Sequence, residues 1–552
     1  MKRAILLTLL FAALTAIMAA PWSLHPSSRV LVDAPDTHLF IWTLAWDARA
    51  FVTNPLAIFD ANIYYPLPNT LAFSENLIGS ALIAAPIIWL TGDAVLAMNL
   101  VALSACLLCG LGAWLLARQL GIGMLGAVLA GLVFAFAPAR FFRMSQIHLV
   151  AMQWIPFALA YLHAYFETKR ARDLRLAIAF TTLQVLCGGH GAVFLLVAGT
   201  ALVVYRIVLG EPLALVNRVR DVGIAGVALL MPVALMVLPY RRVQQEMGLR
   251  RTLENWTVTP ASYLASPSHA HQYLLSWFSD VKFHEQASAY LFPGILPVVL
   301  SIIALVPGHD GRRSRIHMIF YGLLATLSVL LFIDGPLSLW PWVYSWPGMN
   351  FIRAPSRFMI LTMLCLAVLA GAGFERLVAR WTTVSQRAAG VVVALLMLAE
   401  FNAYPFEGVD YTVPAPAVDR WLATQPAPFV VAEVPLPDPR NSGRFERFQT
   451  MAMLHAMSHW QKTVHGYSGF RAPFHDQLYL DLRRFPDETS ITRLQAVGVN
   501  YVVVHRSLVE PGQWPAFESR LAQAAGIRMV HEQDGDRVYS LTGDEEIRTS
   551  EP

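Results

Sequence analysis

Long apolar segments follow one another along most of this chain, and short polar segments separate them. Each apolar segment has about 15 to 24 residues, close to the ~20 that a helix needs to cross the hydrocarbon core of a bilayer. We place eleven predicted spans near 4–22, 94–117, 122–138, 147–166, 174–188, 190–209, 221–239, 291–307, 316–333, 358–377 and 390–404. This pattern predicts an α-helical polytopic membrane protein.

A twelfth apolar stretch, LIGSALIAAPIIWLTG at 77–92, is shorter and contains a proline. If it does not cross the membrane, all the basic segments fall on the cytoplasmic side, as the positive-inside rule requires. They are 1–3, the segment with Arg118, ETKRARDLR, RIVLGEPLALVNRVRD, GHDGRRSRIH and ERLVARWTTVSQRAAG. If it does cross, these segments face outward. We therefore interpret 77–92 as a re-entrant or interface-lying helix on the outer face.

This topology predicts a multi-pass membrane protein with its N-terminus in the cytoplasm, and in a Gram-negative cell its outer face is the periplasm. The first span follows a basic start, as a secretory signal does, but no clean cleavage motif follows it, so we interpret it as retained. Residues 1–404 are then the membrane domain, and 23–93 form its first periplasmic loop. Residues 405–552 are predicted to form a small periplasmic α/β domain after the proline-rich linker YTVPAPAV.

Alternating elements support the α/β prediction for the C-terminal region. PFVVAEVPLP and NYVVVHRSL have the β-branched character of buried strands, and ETSITRLQAVG and AFESRLAQAAG are amphipathic helices that end in glycine. RMVHEQDGDRVYSL has the Asp-Gly turn of a hairpin. The region contains no G-x-G-x-x-G, Walker, G-x-S-x-G or HExxH motif.

The composition is typical of a membrane protein, and it indicates neither nucleic-acid binding nor a disulfide framework. Of 552 residues 56% are hydrophobic and 14% charged, and the mean hydropathy is +0.49. A net charge of +4 does not indicate nucleic acid as a partner. All four cysteines lie in or beside apolar runs, so no disulfide framework is predicted, and the CxxC pair Cys106 and Cys109 is interpreted as two small core residues.

Ionisable residues collect on the predicted outer face, with acids in the first loop and arginines in later ones. They are Asp33, Asp36, His38, Asp47, Arg49, Asp60, Glu75, Arg140, Arg143, His148, His190, Arg241, Arg242, Arg353 and Arg357. Such groups are costly at a membrane boundary unless paired or solvated, so they predict a polar cavity. Three alternatives stay open: arginines that snorkel to head groups, Asp36 as a helix cap, and His148 and His190 as buried structural histidines.

The architecture resembles the GT-C superfamily of integral-membrane glycosyltransferases. One span, an outer loop that opens with an aspartate, an interface helix, many spans and a soluble C-terminal domain follow in that order. The resemblance is sharpest in DTHLFIWTLAWDARAF, FDANIYYPLPNTLAFSENLIG, GLVFAFAPARFFRMSQIHLVAMQWIPFAL and FIRAPSRFMILTMLCLAVLAGAGFERL, which look like bacterial GT-C-like proteins related to mannosyl- and arabinosyltransferases. The likeness covers the chain as architecture, and the first loop carries the motif tied to catalysis.

The resemblance implies transfer of a sugar from a polyprenyl-phosphate donor to a hydroxyl of a periplasmic glycan, lipid or protein. Asp36 best matches the general base of an inverting reaction, and Asp33 is the near alternative. Arg353 or Arg357 would bind the donor phosphate, with substitutes at Arg140, Arg143 and Arg241. The remaining cavity candidates are His38, Asp47, Glu75, His148 and His190.

One feature departs from the family pattern. Many GT-C members have adjacent acids, whereas the acids here are split as D-A-P-D. We predict no cofactor and no metal, although a divalent ion is found in some members. Two other functions stay open: a transporter or flippase for a lipid-linked saccharide, and a non-catalytic assembly protein with the same fold.

Overall fold

The computed structural model describes residues 2–210, 219–248, 253, 258–276, 289–307, 311–346 and 348–541. Helices lie at all eleven predicted spans. The helices up to residue 404 are α1 (Lys2–Met18), α2 (Pro35–Thr53), α3 (Ile78–Thr91), α4 (Ala94–Gln119), α5 (Met124–Phe136), α6 (Pro138–Phe141), α7 (Ile147–Val150), α8 (Trp154–Thr168), α9 (Ala171–Cys187), α10 (Gly189–Val208), α11 (Val219–Glu246), α12 (His269–Ser276), α13 (Ile295–Leu305), α14 (Arg312–Leu330), α15 (Trp340–Val343), α16 (Met359–Val378) and α17 (Thr383–Phe401). The basic segments at 206–221 and 308–317 and the outer segments at 240–290 and 334–357 fall partly outside the described residues.

Five helical segments among the described residues are long and apolar enough to cross a membrane. They are Ala94–Gln119, Ile147–Thr168, Gly189–Val208, Pro355–Val378 and Thr383–Phe401. A sixth results if Met124–Phe136 and Pro138–Ser145, which meet at an angle of 41°, form one broken span. The break falls at Pro138, because proline fits the first turn of a helix but not its interior. The protein is thus a mostly helical membrane protein, and the count of eleven crossings stays a prediction.

The stretch predicted to be re-entrant forms α3, a helix of 14 residues with Pro86 inside it. At 1.5 Å per residue this helix is about 21 Å long, shorter than the hydrocarbon core. It packs against α2, α4 and α9. Helices at predicted spans, such as Ile295–Leu305, are shorter still, so whether 77–92 crosses the membrane stays a prediction.

The membrane helices separate two sets of polar contacts. At one end the Gln119 amide donates to Glu167 at 3.0 Å, and Arg313 pairs with Glu167 at 2.5 Å. These residues join the last turns of α4 and α8 to the first turn of α14, in segments that we predict to be cytoplasmic. The predicted outer residues meet at the opposite ends of the helices, described below. Which end faces the cytoplasm stays a prediction.

Short strands connect the first loop to the region after residue 405. β1 (Arg29–Val30) pairs antiparallel with β2 (Val409–Asp410). An ion pair of 2.8 Å joins the Arg29 guanidinium to the Asp410 carboxylate. The first loop and the start of the C-terminal region are therefore held together.

The C-terminal region contains a five-stranded sheet with helices around it. The helices are α18 (Ala417–Leu422), α19 (Ser442–His455), α20 (Pro473–Leu482), α21 (Glu488–Val497) and α22 (Trp514–Gln523). The strands are β3 (Val430–Val434), β4 (Lys462–Thr463), β5 (Tyr501–Val504), β6 (Ile527–Gln533) and β7 (Asp536–Leu541), in the order β4-β3-β5-β7-β6. β3 lies parallel to both β4 and β5, and the other pairings are antiparallel.

The predicted strands and the hairpin are present in this sheet. Asp534 and Gly535, between β6 and β7, have φ values of 53° and 87°, the left-handed conformation that a two-residue hairpin turn needs. One boundary differs from the prediction. α22 ends at Gln523 because Ala524 is extended, and Gly526 (φ 80°) then turns the chain into β6.

A polar contact joins α19 to the start of α2. Asp33 accepts a hydrogen bond of 2.7 Å from Arg447 on its Oδ2, and its Oδ1 faces Nε2 of the buried His38 at 2.8 Å. Nδ1 of His38 faces the Thr450 hydroxyl at 2.9 Å. Both ring nitrogens of His38 therefore have a polar partner where the first loop meets the C-terminal region.

Acid is expected to weaken this contact. The hydrogen bond from Arg447 lowers the pKa of Asp33, and burial lowers the pKa of His38. Asp33 therefore contributes stability above its unfolded pKa that is lost as pH falls through its lowered folded value. His38 adds to this loss, because below about pH 6.5 the unfolded imidazole takes up a proton before the folded one. We expect the melting temperature of the detergent-solubilised protein to fall between pH 7 and pH 5, and more steeply than in His38→Gln. Equal slopes in the two proteins would contradict this assignment.

Candidate active site

Asp36 lies in the first turn of α2, where the helix dipole favours a negative charge. The residue that precedes this helix is Ala34, with no side-chain cap. The Asp36 side chain points elsewhere: its Oδ1 accepts a hydrogen bond of 2.9 Å from the Tyr467 hydroxyl. Asp36 is exposed. The capping alternative does not describe this residue.

Asp33 and Asp36 have different hydrogen-bond partners. Asp33 has partners on both carboxylate oxygens, His38 and Arg447, and so belongs to the contact between α2 and α19. Both residues are exposed, and Asp36 has the Tyr467 hydroxyl on Oδ1. Arg447 and His38 lower the pKa of Asp33 and make it a weaker proton acceptor, and this favours Asp36 of the two as a base.

The C-terminal region supplies further side chains beside Asp36. Glu446 on α19 is half-buried, and its burial, together with the charge of Asp36, raises its pKa, while Arg471 and Arg353 oppose that rise. Burial and the nearby Asp36 also raise the pKa of Tyr467, so its hydroxyl keeps its proton and can donate it in a hydrogen bond. The surroundings of Asp36 thus contain residues from both the membrane region and the C-terminal region.

A buried chain of hydrogen bonds holds Arg357. Its Nη1 donates to Nε2 of His190 at 2.5 Å, and Nδ1 of His190 lies 2.7 Å from Oε1 of Glu75. Because arginine can only donate, Nε2 is the acceptor and Nδ1 carries the proton. Oε2 of Glu75 accepts from the Gly189 amide at 2.7 Å. Glu75 and His190 therefore fix the direction of the Arg357 guanidinium.

A second arginine and a second imidazole lie beside this chain. Arg143 is 9% exposed, and its charge and that of Arg357 act on each other. The His148 ring packs 5.3 Å from the ring of His190 and 5.3 Å from that of Phe40. The charges of Arg143 and Arg357 repel one another, so an anion bound between the two groups would be stabilised.

The ring of Phe40 connects this cluster to Asp36. Phe40 lies one turn along α2 from Asp36, and residues four apart on a helix share a face, with their Cβ atoms about 5–6 Å apart. Phe40 contacts His148, His148 contacts His190, and His190 binds Arg357. Asp36 and Arg357 therefore border one region at the same end of the membrane helices.

Other predicted site residues lie outside this region or are engaged elsewhere. Arg140 is 0% exposed and donates to the Cys109 sulfur and to the carbonyls of Ala135 and Val150, an interior arrangement that does not favour phosphate binding. Arg241 is exposed on α11. Asp47 lies three turns along α2 from Asp36, about 16 Å away at 1.5 Å per residue.

Burial raises the pKa values of two further predicted site acids, Asp47 and Glu75. Burial raises the pKa of Asp47 well above its usual range, and neither of its oxygens accepts a hydrogen bond from a described residue. Burial also raises the pKa of Glu75, while His148 and Arg357 oppose the rise. Among the described residues Asp47 therefore has no hydrogen-bond partner to orient it, whereas Glu75 has two, the His190 ring and the Gly189 amide.

Sequence reasoning missed the C-terminal contribution to this site, Glu446 and Tyr467. It also missed a group of three potential metal ligands, Glu433, His455 and His505, whose ligand atoms lie within 4.8 Å of one another; no other such group occurs in the part of the chain that the structure describes. The density of histidines between 455 and 475 was a usable signal. The prediction that the protein needs no metal or cofactor stays a prediction.

No family model matches the chain, and no curated protein matches it. Solved structures do. ArnT from Cupriavidus metallidurans bound to undecaprenyl phosphate is 14% identical, with a TM-score of 0.50 over 98% of each chain. The archaeal oligosaccharyltransferase AglB from Archaeoglobus fulgidus, in complex with an inhibitory peptide and a dolichol-phosphate, is 12% identical with a TM-score of 0.46, over 99% of this chain and 74% of that one. The match to ArnT, a GT-C glycosyltransferase, shows that this chain has a GT-C-like fold.

Proposed function

We propose that this protein is a membrane glycosyltransferase that moves a sugar from a polyprenyl-phosphate donor to an acceptor hydroxyl, with inversion at the anomeric carbon. The observation that carries the proposal is the position of Asp36: an accessible carboxylate at the start of α2, bordering the same region as the buried Arg143 and the partly buried Arg357. ArnT, which shares the fold, was solved with undecaprenyl phosphate, and this supports a lipid-linked donor.

Asp36 acts as the general base in this mechanism. Its carboxylate takes the proton of the acceptor hydroxyl while that oxygen attacks the anomeric carbon of the donor sugar. The bond between the anomeric carbon and the phosphate oxygen breaks, and its electron pair leaves with the polyprenyl phosphate. The hydrogen bond from Tyr467 holds Asp36 in position.

Arg357 and Arg143 stabilise the departing phosphate. The leaving group gains negative charge as the bond breaks, and paired donors on a guanidinium match phosphate oxygens well. His190 and Glu75 act through Arg357 by fixing its orientation, and they are positioning residues in this mechanism. The charge of Arg353 acts on Glu446, whose charge environment also includes Asp36.

The position of the polar cluster favours transfer over transport. A transporter for a lipid-linked saccharide is expected to carry polar residues deep within its spans, between two faces. Here Asp36, Arg143 and Arg357 gather at one end of the membrane helices. The buried His163 belongs with His317 to the contacts around Glu167 at the other end. We propose that the end with Asp36 faces the periplasm of the bacterial inner membrane, where the acceptor is a glycan, lipid or protein.

The proposal is tested by reconstituting the purified protein in liposomes with a panel of labelled polyprenyl-phosphate monosaccharides. We expect at least one donor to lose its label, to an acceptor or to water, at a rate proportional to the amount of protein. Liposomes without protein give the background rate. A folded protein that turns over none of the donors, in the presence of an inner-membrane extract as a source of acceptors, would contradict the proposal.

A further inference from the structure

We propose that Glu433, His455 and His505 bind a divalent metal ion of the zinc class within the C-terminal region. Glu433 lies on β3, His505 follows β5, and His455 is the last residue of α19. They are 3%, 5% and 9% exposed, respectively. Three segments that are distant in sequence thus bring one carboxylate and two imidazoles together in the interior.

The geometry converges on one carboxylate oxygen. Oε2 of Glu433 lies 2.8 Å from Nδ1 of His455 and 2.7 Å from Nε2 of His505. The three atoms all lie within 4.8 Å of one another, so one ion can reach all of them. Only small shifts are needed, because zinc binds imidazole nitrogen and carboxylate oxygen at about 2.0–2.2 Å.

The donor set selects the type of ion. Two imidazoles and one carboxylate suit zinc and related transition metals, whereas magnesium and calcium prefer oxygen ligands alone. Three protein ligands leave a coordination position open for water or another small ligand.

A second carboxylate orients one of the ligands. Oδ2 of Asp536 lies 2.9 Å from Nδ1 of His505, which leaves Nε2 directed at Glu433. A carboxylate on the far nitrogen of a ligating histidine is a common outer partner in metal sites, because it fixes the ring and makes the near nitrogen a better ligand.

A further carboxylate lies close to the cluster. Asp419 is fully buried, and its charge acts on His455. Its Oδ1 lies 3.6 Å from Nε2 of His459, and neither of its oxygens accepts a hydrogen bond from a described residue.

The ion would fix α19 on the sheet. This helix carries Glu446 and Arg447 beside α2, and it ends at His455. An ion held between His455 and the strands that carry Glu433 and His505 thus anchors one end of the helix whose other part borders Asp36. The site itself does not rest on the proposed glycosyl transfer, since its ligands are not those of the sugar donor.

The full chain, purified in detergent without chelators and without a polyhistidine tag, tests the proposal. We expect about one zinc per chain by mass spectrometry of metals after dialysis against zinc and then metal-free buffer, and a loss of most of this zinc in Glu433→Gln and His505→Gln. His531→Gln changes a histidine of the same sheet outside the cluster and should keep the zinc. Binding of cobalt to the metal-free wild-type protein, read from its visible absorption, gives a second measurement that does not depend on the folding of a variant.

Each outcome decides the matter. About one zinc per wild-type chain, lost in the two cluster variants and kept in His531→Gln, supports the site. A wild-type protein that binds neither zinc nor cobalt overturns it, and the cluster is then a network of hydrogen bonds and charges. Zinc that is retained equally in all variants overturns it as well, because the ion is then bound elsewhere. Zinc binding without glycosyl transfer supports the site and contradicts only the proposed function.

Discussion

Asp36→Asn is expected to abolish sugar transfer and to leave the fold intact. The amide has the shape of the carboxylate and can still accept the hydrogen bond of 2.9 Å from Tyr467, but it cannot take a proton from the acceptor. General-base catalysis contributes about 10²- to 10⁴-fold to such reactions, and we expect kcat to fall by that factor. The measurement is the initial rate with the donor that the wild type turns over, normalised to the amount of folded protein in the liposomes.

Two controls separate the loss of the base from other effects. Asp410→Asn makes the same chemical change at an exposed residue that pairs with Arg29, and its rate should stay within about twofold of the wild type. Tyr467→Phe leaves the carboxylate and removes one hydrogen bond to this charged group, so its rate should fall by about 10-fold. If Asp33→Asn lost transfer while Asp36→Asn kept it, the base would be Asp33.

The positions of the membrane helices could be predicted because each element is a local pattern. An apolar run of sufficient length favours a helix wherever it stands, and α4, α10 and α16 lie at the predicted spans. The same holds for the hairpin of β6 and β7, whose Asp534-Gly535 turn is specified by two adjacent residues. Bends were harder to predict: Pro138 divides what the sequence presents as one apolar run.

The pairings within the site could not be predicted, because their partners are far apart along the chain. Asp33 and Asp36 look alike in the sequence, and what separates them is Arg447, 414 residues after Asp33, and Tyr467, 431 residues after Asp36. The hydropathy pattern predicts that both acids lie on the outer face of the membrane. It carries no information about which residues of the C-terminal region contact them.

The contacts of Arg140 and Arg143 could not be predicted either, although these residues are close together in the sequence. They are three residues apart, but the Arg140 guanidinium turns into the core toward the Cys109 sulfur, while Arg143 lies beside Arg357. The direction of each side chain depends on the bend at Pro138 and on the backbone carbonyls that the bend leaves open. A list of arginines predicted to lie on one face of the membrane therefore does not tell which of their side chains lie together.

Arg357→Gln is expected to weaken the use of the donor, with kcat/KM lowered by about 10- to 100-fold, since a hydrogen bond to a charged group contributes about 1.5–3 kcal/mol. The glutamine can still contact Nε2 of His190, so the buried chain to Glu75 need not break. Arg357→Lys keeps the charge without the paired donors and should lie between the wild type and Arg357→Gln. Initial rates over a range of donor concentrations measure the effect.

Arg241→Gln is the matched control, because Arg241 is a predicted outer arginine that is exposed on α11, and its kcat/KM should stay within about twofold of the wild type. If Arg357→Gln kept the wild-type kcat/KM while Arg143→Gln lost it, the phosphate would lie on the Arg143 side of the pair. If both variants kept the wild-type kcat/KM, the donor phosphate would not bind between Arg143 and Arg357. The double variant separates these cases further: two arginines that bind one phosphate should show effects that do not add, whereas independent sites should add within about 0.5 kcal/mol.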